Sequence, residues 1–215
     1  MWSLPPSDTV LHLLSYVALA AGAMTAALAA GRRSMDWVGV CMLGCITALG
    51  GGTIRDVLLG HYPLVWVQTP SYLALTAIAA FVTILIARHV HRLNLAFLVL
   101  DAIGLVVFTM AGCDVARHID PSLPLVIVVV AGMITGCAGG VLRDILCNDV
   151  PLLFRAELYA SVSIVTGLFY STAFGLKLNA ELWTALTFVL GLSLRLLAIR
   201  YKWEMPKFIF NDEKR

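Results

Sequence analysis

The sequence predicts an all-α polytopic membrane protein, with seven transmembrane helices arranged as two inverted three-helix repeats plus a seventh helix. Three observations carry this prediction. Of the 215 residues, 60% are hydrophobic and only 13% are charged, whereas a soluble domain carries about 25% charged residues. The mean hydropathy is +0.89, and the apolar residues form long runs rather than one-faced stripes. A transmembrane barrel would instead show segments of about 10 alternating residues. Finally, one unusual motif occurs twice.

Charge and turn residues divide the chain into spans at roughly 10–30, 37–59, 71–88, 95–116, 122–147, 156–175 and 180–199. Each is near the ~20 residues that cross a hydrocarbon core. The first ends at "GRRSMD", the second at "GHYPLVWVQTPS", the third at "RHVHRLN", the fourth at "RHIDPSLP", the fifth at "NDVPLLFR" and the sixth at "GLKLNAE". These connections are short, so a single membrane domain is expected over residues 1–215. It comprises repeat one (about 10–90), repeat two (about 95–175), the seventh helix (about 180–199) and a tail (200–215). The N-terminus lacks the basic region of a secretory signal.

Orientation follows from the placement of Lys and Arg. One side collects Arg32, Arg33, Arg88, Arg92, Arg155, Arg200, Lys202, Lys207, Lys214 and Arg215; the other has Arg117 and Lys177. The ratio of ten to two places the N-terminus outside and the C-terminus in the cytoplasm.

The repeat is read from "ITALGGGTIRDVLLGHYPLVW" (46–66) and "ITGCAGGVLRDILCNDVPLLF" (134–154), which agree at nine of 21 positions with an offset of 88. Upstream, an offset of 86 aligns Met24 with Met110 and Ala30 with Ala116. Three spans is an odd number, so the second copy enters the membrane from the opposite side. Inverted repeats with matched helix interruptions are a feature of transport proteins; a symmetric scaffold is the plainer alternative.

The motif supplies the candidate site. Gly50, Gly51 and Gly52, with Gly139 and Gly140 in the second copy, sit inside spans two and five. Each glycine costs about 1 kcal/mol relative to alanine in a helix. They predict a kink or a short unwound segment whose freed carbonyls line a path, or else a close helix crossing. One turn later come Arg55 with Asp56 and Arg143 with Asp144. Neighbours on a helix point about 100° apart, so crossed pairs are expected, Arg55 with Asp144 and Arg143 with Asp56, or pairing onto broken carbonyls. These charges are either a structural lock or a filter. Asp101 and Asp114 in span four are candidate pore-mouth residues or snorkelling ends. Their counterparts are Ser15 and Leu28. Thr25, Thr47, Thr109 and Thr135 line a path or bond back to their own helices, and Trp37, Trp66, Trp183 and Trp203 fit interfacial belts.

Several classes are disfavoured. No basic, aromatic-interleaved patch suggests nucleic acid. The cysteines Cys41, Cys45, Cys113, Cys137 and Cys147 lie in apolar runs without CxxC spacing, so neither a metal site nor a disulfide framework is expected. No enzymatic signature occurs: there is no P-loop, HExxH or GxSxG, and neither a catalytic residue nor a cofactor is assigned.

The stretches "AALAAGRRSMDWVGV" (26–40), "GGGTIRDVLLGHYPL" (50–64), "LDAIGLVVF" (100–108) and "GGVLRDILC" (139–147) resemble the bacterial branch of the trimeric intracellular cation (TRIC) channels. That branch is also known as an uncharacterised membrane family and as a putative glycine transporter family. The resemblance covers roughly residues 10–200. It implies a homotrimer in the bacterial inner membrane among lipids, with a pore for monovalent cations, chiefly potassium and sodium, in each subunit. It also implies gating near kinks of the second and fifth helices. The lipid-binding Lys-Glu-Val signature of animal members has no counterpart, and Ala138 replaces the first glycine of the second motif. The expected function is a passive monovalent-cation channel; a secondary transporter of glycine or another small amino acid, and a scaffold without flux, are the alternatives.

Overall fold

Helix ends follow local turn chemistry in this computed structural model, which describes residues 9–87, 93–155, 158–176 and 179–203. The elements are α1 (Thr9–Gly31), α2 (Trp37–Leu58), α3 (Val65–Gln68), α4 (Ser71–Ala87), α5 (Leu93–Ile119), α6 (Leu125–Leu146), α7 (Tyr159–Leu176) and α8 (Ala180–Tyr201). A single 3-10 turn, Leu152–Phe154, precedes α7. The carboxylate of Asp36 caps α2 by accepting the Gly39 N–H at 2.6 Å, and Asn179 caps α8 through the Leu182 N–H at 3.3 Å.

α2 and α6 stop in the same way. The residue after the last turn is left-handed in each, Gly60 at φ +65° and Asn148 at φ +54°. His61 N–H then donates to the Asp56 carbonyl, and Asp149 N–H to the Asp144 carbonyl, both at 2.8 Å. This is the glycine-type helix stop in which a 6→1 bond satisfies an orphan carbonyl, and asparagine is the other residue that tolerates it. In the α5–α6 turn, Asp120 accepts from the Ser122 hydroxyl and N–H, which holds its carboxyl below the usual range.

Among the described residues, five helices are long and apolar enough to cross a membrane: α1, α2, α5, α6 and α8. α4 is a shorter apolar helix. The long helices coincide with the expected spans to within a few residues. Arg88, Arg92, Lys177, Lys207, Lys214 and Arg215 lie outside the described residues. α1 packs against α2, α4 and α5; α6 packs against α2, α5 and α7; α8 lies along α7 and α5. Small side chains make these approaches close. Ala18, Ala23, Ala26 and Ala30 of α1 are fully buried, while large apolar side chains such as Val38, Leu58 and Val126 face outward.

The expected unwound turn is not present. α2 runs as one helix through Gly50–Gly52, and α6 through Gly139 and Gly140. The reason lies in the packing at the crossing of these two helices.

Candidate functional site

A Cβ on Gly51 would overlap the Thr135 carbonyl, and a Cβ on Gly139 would overlap the Thr47 carbonyl. In both contacts the residue numbers sum to 186, so α2 and α6 cross antiparallel, each glycine seating the other helix's backbone. The helices stay wound because the glycines remove side chains rather than hydrogen bonds. The Thr135 hydroxyl donates back to the Ala131 carbonyl at 2.7 Å. The Thr47 hydroxyl is buried without a hydrogen-bond partner among the described residues.

Beyond the crossing, α2 carries the first charged cluster. Arg55 donates from Nε (3.0 Å) and Nη2 (2.6 Å) to Oδ1 of Asp56. His61 Nδ1 lies 3.3 Å from the same oxygen, and Oδ2 accepts the Val65 N–H at 3.3 Å. Asp56 therefore ties the end of α2 to the start of α3.

The second cluster, on α6, is larger. Arg143 donates from Nε to Asp144 Oδ1 (2.8 Å), and from Nη1 to Asp101 Oδ1 (2.7 Å) and the Thr25 hydroxyl (3.2 Å). Its guanidinium carbon lies 4.6 Å from the centre of the Phe97 ring. Asp144 Oδ2 accepts the Leu152 N–H at 2.9 Å, which anchors the 3-10 turn as Asp56 anchors α3. Arg55, Asp56, Asp101, Arg143 and Asp144 are all buried.

The pairing corrects two expectations. Each arginine holds its own neighbour, not the aspartate of the other copy. In the antiparallel register Arg55 stands level with residue 131, so Asp144 is 13 residues further along, or about 20 Å at 1.5 Å per residue. A crossed pair cannot span that gap, whereas a long arginine side chain bends round its own helix. Asp101 is neither a snorkelling end nor an exposed mouth residue, being buried against Arg143. Asp114 is partly exposed, 3.3 Å from His118 Nδ1, and accepts from the Tyr170 hydroxyl at 3.2 Å. Thr25 and Thr109 bond back to Gly22 and Leu105.

The two ends differ in openness. A cavity of about 450 Å³ opens at the Arg55 end, with Ser15, Arg55, Trp66, Asp114 and Thr135 among its lining residues. Sequence offset explains why it lies there. Phe97, Asp101 and Thr25 pack around Arg143. Their counterparts at an offset of 86 are Leu11, Ser15 and Ala111, and all three line the cavity. Smaller, uncharged side chains leave empty at one end what an aspartate, a threonine and a phenylalanine fill at the other. Gly52 lines the cavity, and a Cβ there would meet only Arg55 Nη2, at 3.7 Å.

Of the residues singled out in the sequence, the structure joins Arg55 with Asp56, and Arg143 with Asp144 and Asp101. Gly51, Gly139, Thr47 and Thr135 meet at the crossing, while Asp114 stays apart at the cavity. Sequence reading missed Phe97, His61, Tyr159 and Arg195. Arg195 carried a signal, as a lone charge inside the apolar run of the last span. Phe97 and Tyr159 gave none, because one aromatic in an apolar run resembles any other.

Comparison with known proteins finds relatives in sequence and in fold. A glycine transporter family model matches the chain twice, over residues 12–88 and 98–174. The UPF0126 inner membrane protein YadS of Escherichia coli (strain K12) is 38% identical over 208 residues, covering 96% of this chain and 100% of that protein. A TRIC cation channel structure solved to explain conductance superposes with a TM-score of 0.84 at 34% identity, covering 94% of this chain and 98% of the other. The TRIC trimeric intracellular cation channel orthologue from Rhodobacter sphaeroides superposes at 0.86 with 31% identity, covering 91% and 100%.

Proposed function

The chain belongs to the glycine transporter family and shares its fold with bacterial TRIC channels, and from this we propose that it is a passive monovalent-cation channel of the inner membrane. In this reading α1, α2, α4, α5, α6, α7 and α8 cross the bilayer as two inverted three-helix repeats plus one, forming a single membrane domain. Arg32 and Arg33 meet Asn94 and Asp149 at one end, which the excess of Lys and Arg assigns to the cytoplasm. The cavity then opens outside. Three copies assemble, each with its own pore for potassium or sodium among the membrane lipids.

The observation that carries the proposal is the cavity that reaches Thr135 at the α2–α6 crossing, with the Arg143–Asp101–Asp144 cluster beyond it. Cations collect at Asp114 and pass along the crossing, while the cluster closes the cytoplasmic end. Pairing with its own aspartate neutralises each guanidinium, which would otherwise repel a cation. Because α2 and α6 are wound, the path offers no freed carbonyls there; hydroxyls such as Thr47 and the four charged side chains replace them.

A second reading rests on one observation: the cavity opens at the Arg55 end, and Arg55 lies in its wall. A transporter of glycine or another small amino acid would use such a site, with the arginine meeting a carboxylate. Purified protein in planar bilayers and liposomes separates the readings. Unitary cation currents without any substrate gradient are expected. Saturable glycine counterflow without such currents would overturn the channel, and no flux of either kind would leave a scaffold.

A further inference from the structure

α8 has no counterpart within the duplicated part of the chain, yet it buries a charge. Arg195 is fully buried, in a segment where charged side chains are rare and costly to place. Its guanidinium carbon lies 4.7 Å from the centre of the Tyr159 ring. Tyr159, itself buried, is the first residue of α7. Its hydroxyl reaches the face of Gly140 that it shares with Arg143 and Asp101. A Cβ on Gly140 would lie 3.2 Å from Tyr159 Oη, 3.7 Å from Arg143 Nη2 and 3.8 Å from Asp101 Oδ1. A cation against an aromatic face is a directional contact that strengthens when both are desolvated. At the open end, Tyr72 at the start of α4 lines the cavity, and its ring meets Tyr16 edge-on at 5.6 Å.

We propose that Arg195 is a positioning residue: from α8 it fixes Tyr159, and through that ring it holds the Arg143–Asp101 pair in the closed arrangement. The helix outside the repeat thus braces one end of a molecule built from two similar halves, and that end is the closed one. The proposal rests on the reading of the α2–α6 crossing as a pore, but its test does not need flux.

Cys137 reports on this end, because it packs in one buried cluster with Leu105 and Tyr159. Full-length protein is prepared with Cys41, Cys45, Cys113 and Cys147 replaced by alanine. A charged, water-soluble thiol reagent is then applied from the C-terminal face of sealed vesicles. Slow labelling of Cys137 is expected in the parent and in Arg195→Lys, which keeps the cation. At least tenfold faster labelling is expected in Arg195→Gln. A companion protein that retains only Cys113, buried among Met110 and Val128 in another cluster, labels at its parent rate when it carries Arg195→Gln. Should Arg195→Gln not fold, Tyr159→Leu, which leaves every charge in place, must produce the same acceleration. Parent-rate labelling of Cys137 in a folded variant would overturn the proposal. So would equal acceleration of Cys113, or failure of lysine to restore protection. Absence of bilayer currents would remove the channel and leave this labelling result standing.

Discussion

At the scale of single residues, the two arginine clusters are the same device built to different strengths. Arg55 balances Asp56, with His61 on the same oxygen, while Arg143 balances both Asp101 and Asp144. Removing one partner of a buried pair costs about 3–5 kcal/mol because a charge is left uncompensated. Arg143→Ala strands two carboxylates and is expected at or above the top of that range. Arg55→Ala strands one that still has His61 and is expected at the bottom. Thermal unfolding in detergent, read by size-exclusion elution, checks the order. Equal losses would contradict it, and if both variants assemble like the parent while flux changes, the charges are a filter and not a lock. The arginines and aspartates were legible in the sequence, since buried charge in an apolar run is conspicuous. Their pairing was not, because the 100° step between neighbours describes Cβ directions and ignores the reach of a guanidinium. Nor could offset alone reveal that Asp101, whose counterpart is Ser15, completes one cluster only.

At the scale of elements, the long helices were legible to within a few residues because apolar runs, Asp36, Asn179, Gly60 and Asn148 mark their ends. α3 and the 3-10 turn were not. Each lasts only three or four residues and is held by a side chain, Asp56 or Asp144, from the preceding helix. The glycine runs carry two readings, an unwound turn or a close helix crossing. Propensity argued for unwinding at about 1 kcal/mol per glycine, but the α2–α6 contact uses the missing side chains for close approach. Gly51→Ala and Gly139→Ala each force a methyl into a carbonyl and are expected to cost about 1–3 kcal/mol, as overpacking does. Gly31→Ala, where a Cβ meets nothing within 4 Å, is expected to be neutral or slightly stabilising. Unfolding midpoints of the three variants provide the check, and a neutral Gly139→Ala would contradict the crossing.

At the scale of the whole molecule, the proposed internal repeat accounts both for the two matches to the family model and for the difference between the two ends. The family match recurs at residues 12–88 and 98–174, an offset of 86 (98 − 12), which is the offset of the upstream part of the sequence repeat. The cavity arises where Leu11, Ser15 and Ala111 stand for Phe97, Asp101 and Thr25. If the proposed orientation holds, a fluorescent protein fused after residue 215 fluoresces in the cytoplasm, and alkaline phosphatase fused after residue 120 is active outside; the reverse pattern would contradict it. The central claim is that cations pass along the α2–α6 crossing inside each subunit. Planar-bilayer recording of a protein whose only cysteine is Gly52→Cys, on the cavity wall, tests it most directly. A charged thiol reagent added on the cavity side is predicted to extinguish the unitary potassium current in discrete steps, one per subunit. Current unchanged after complete labelling would contradict the account.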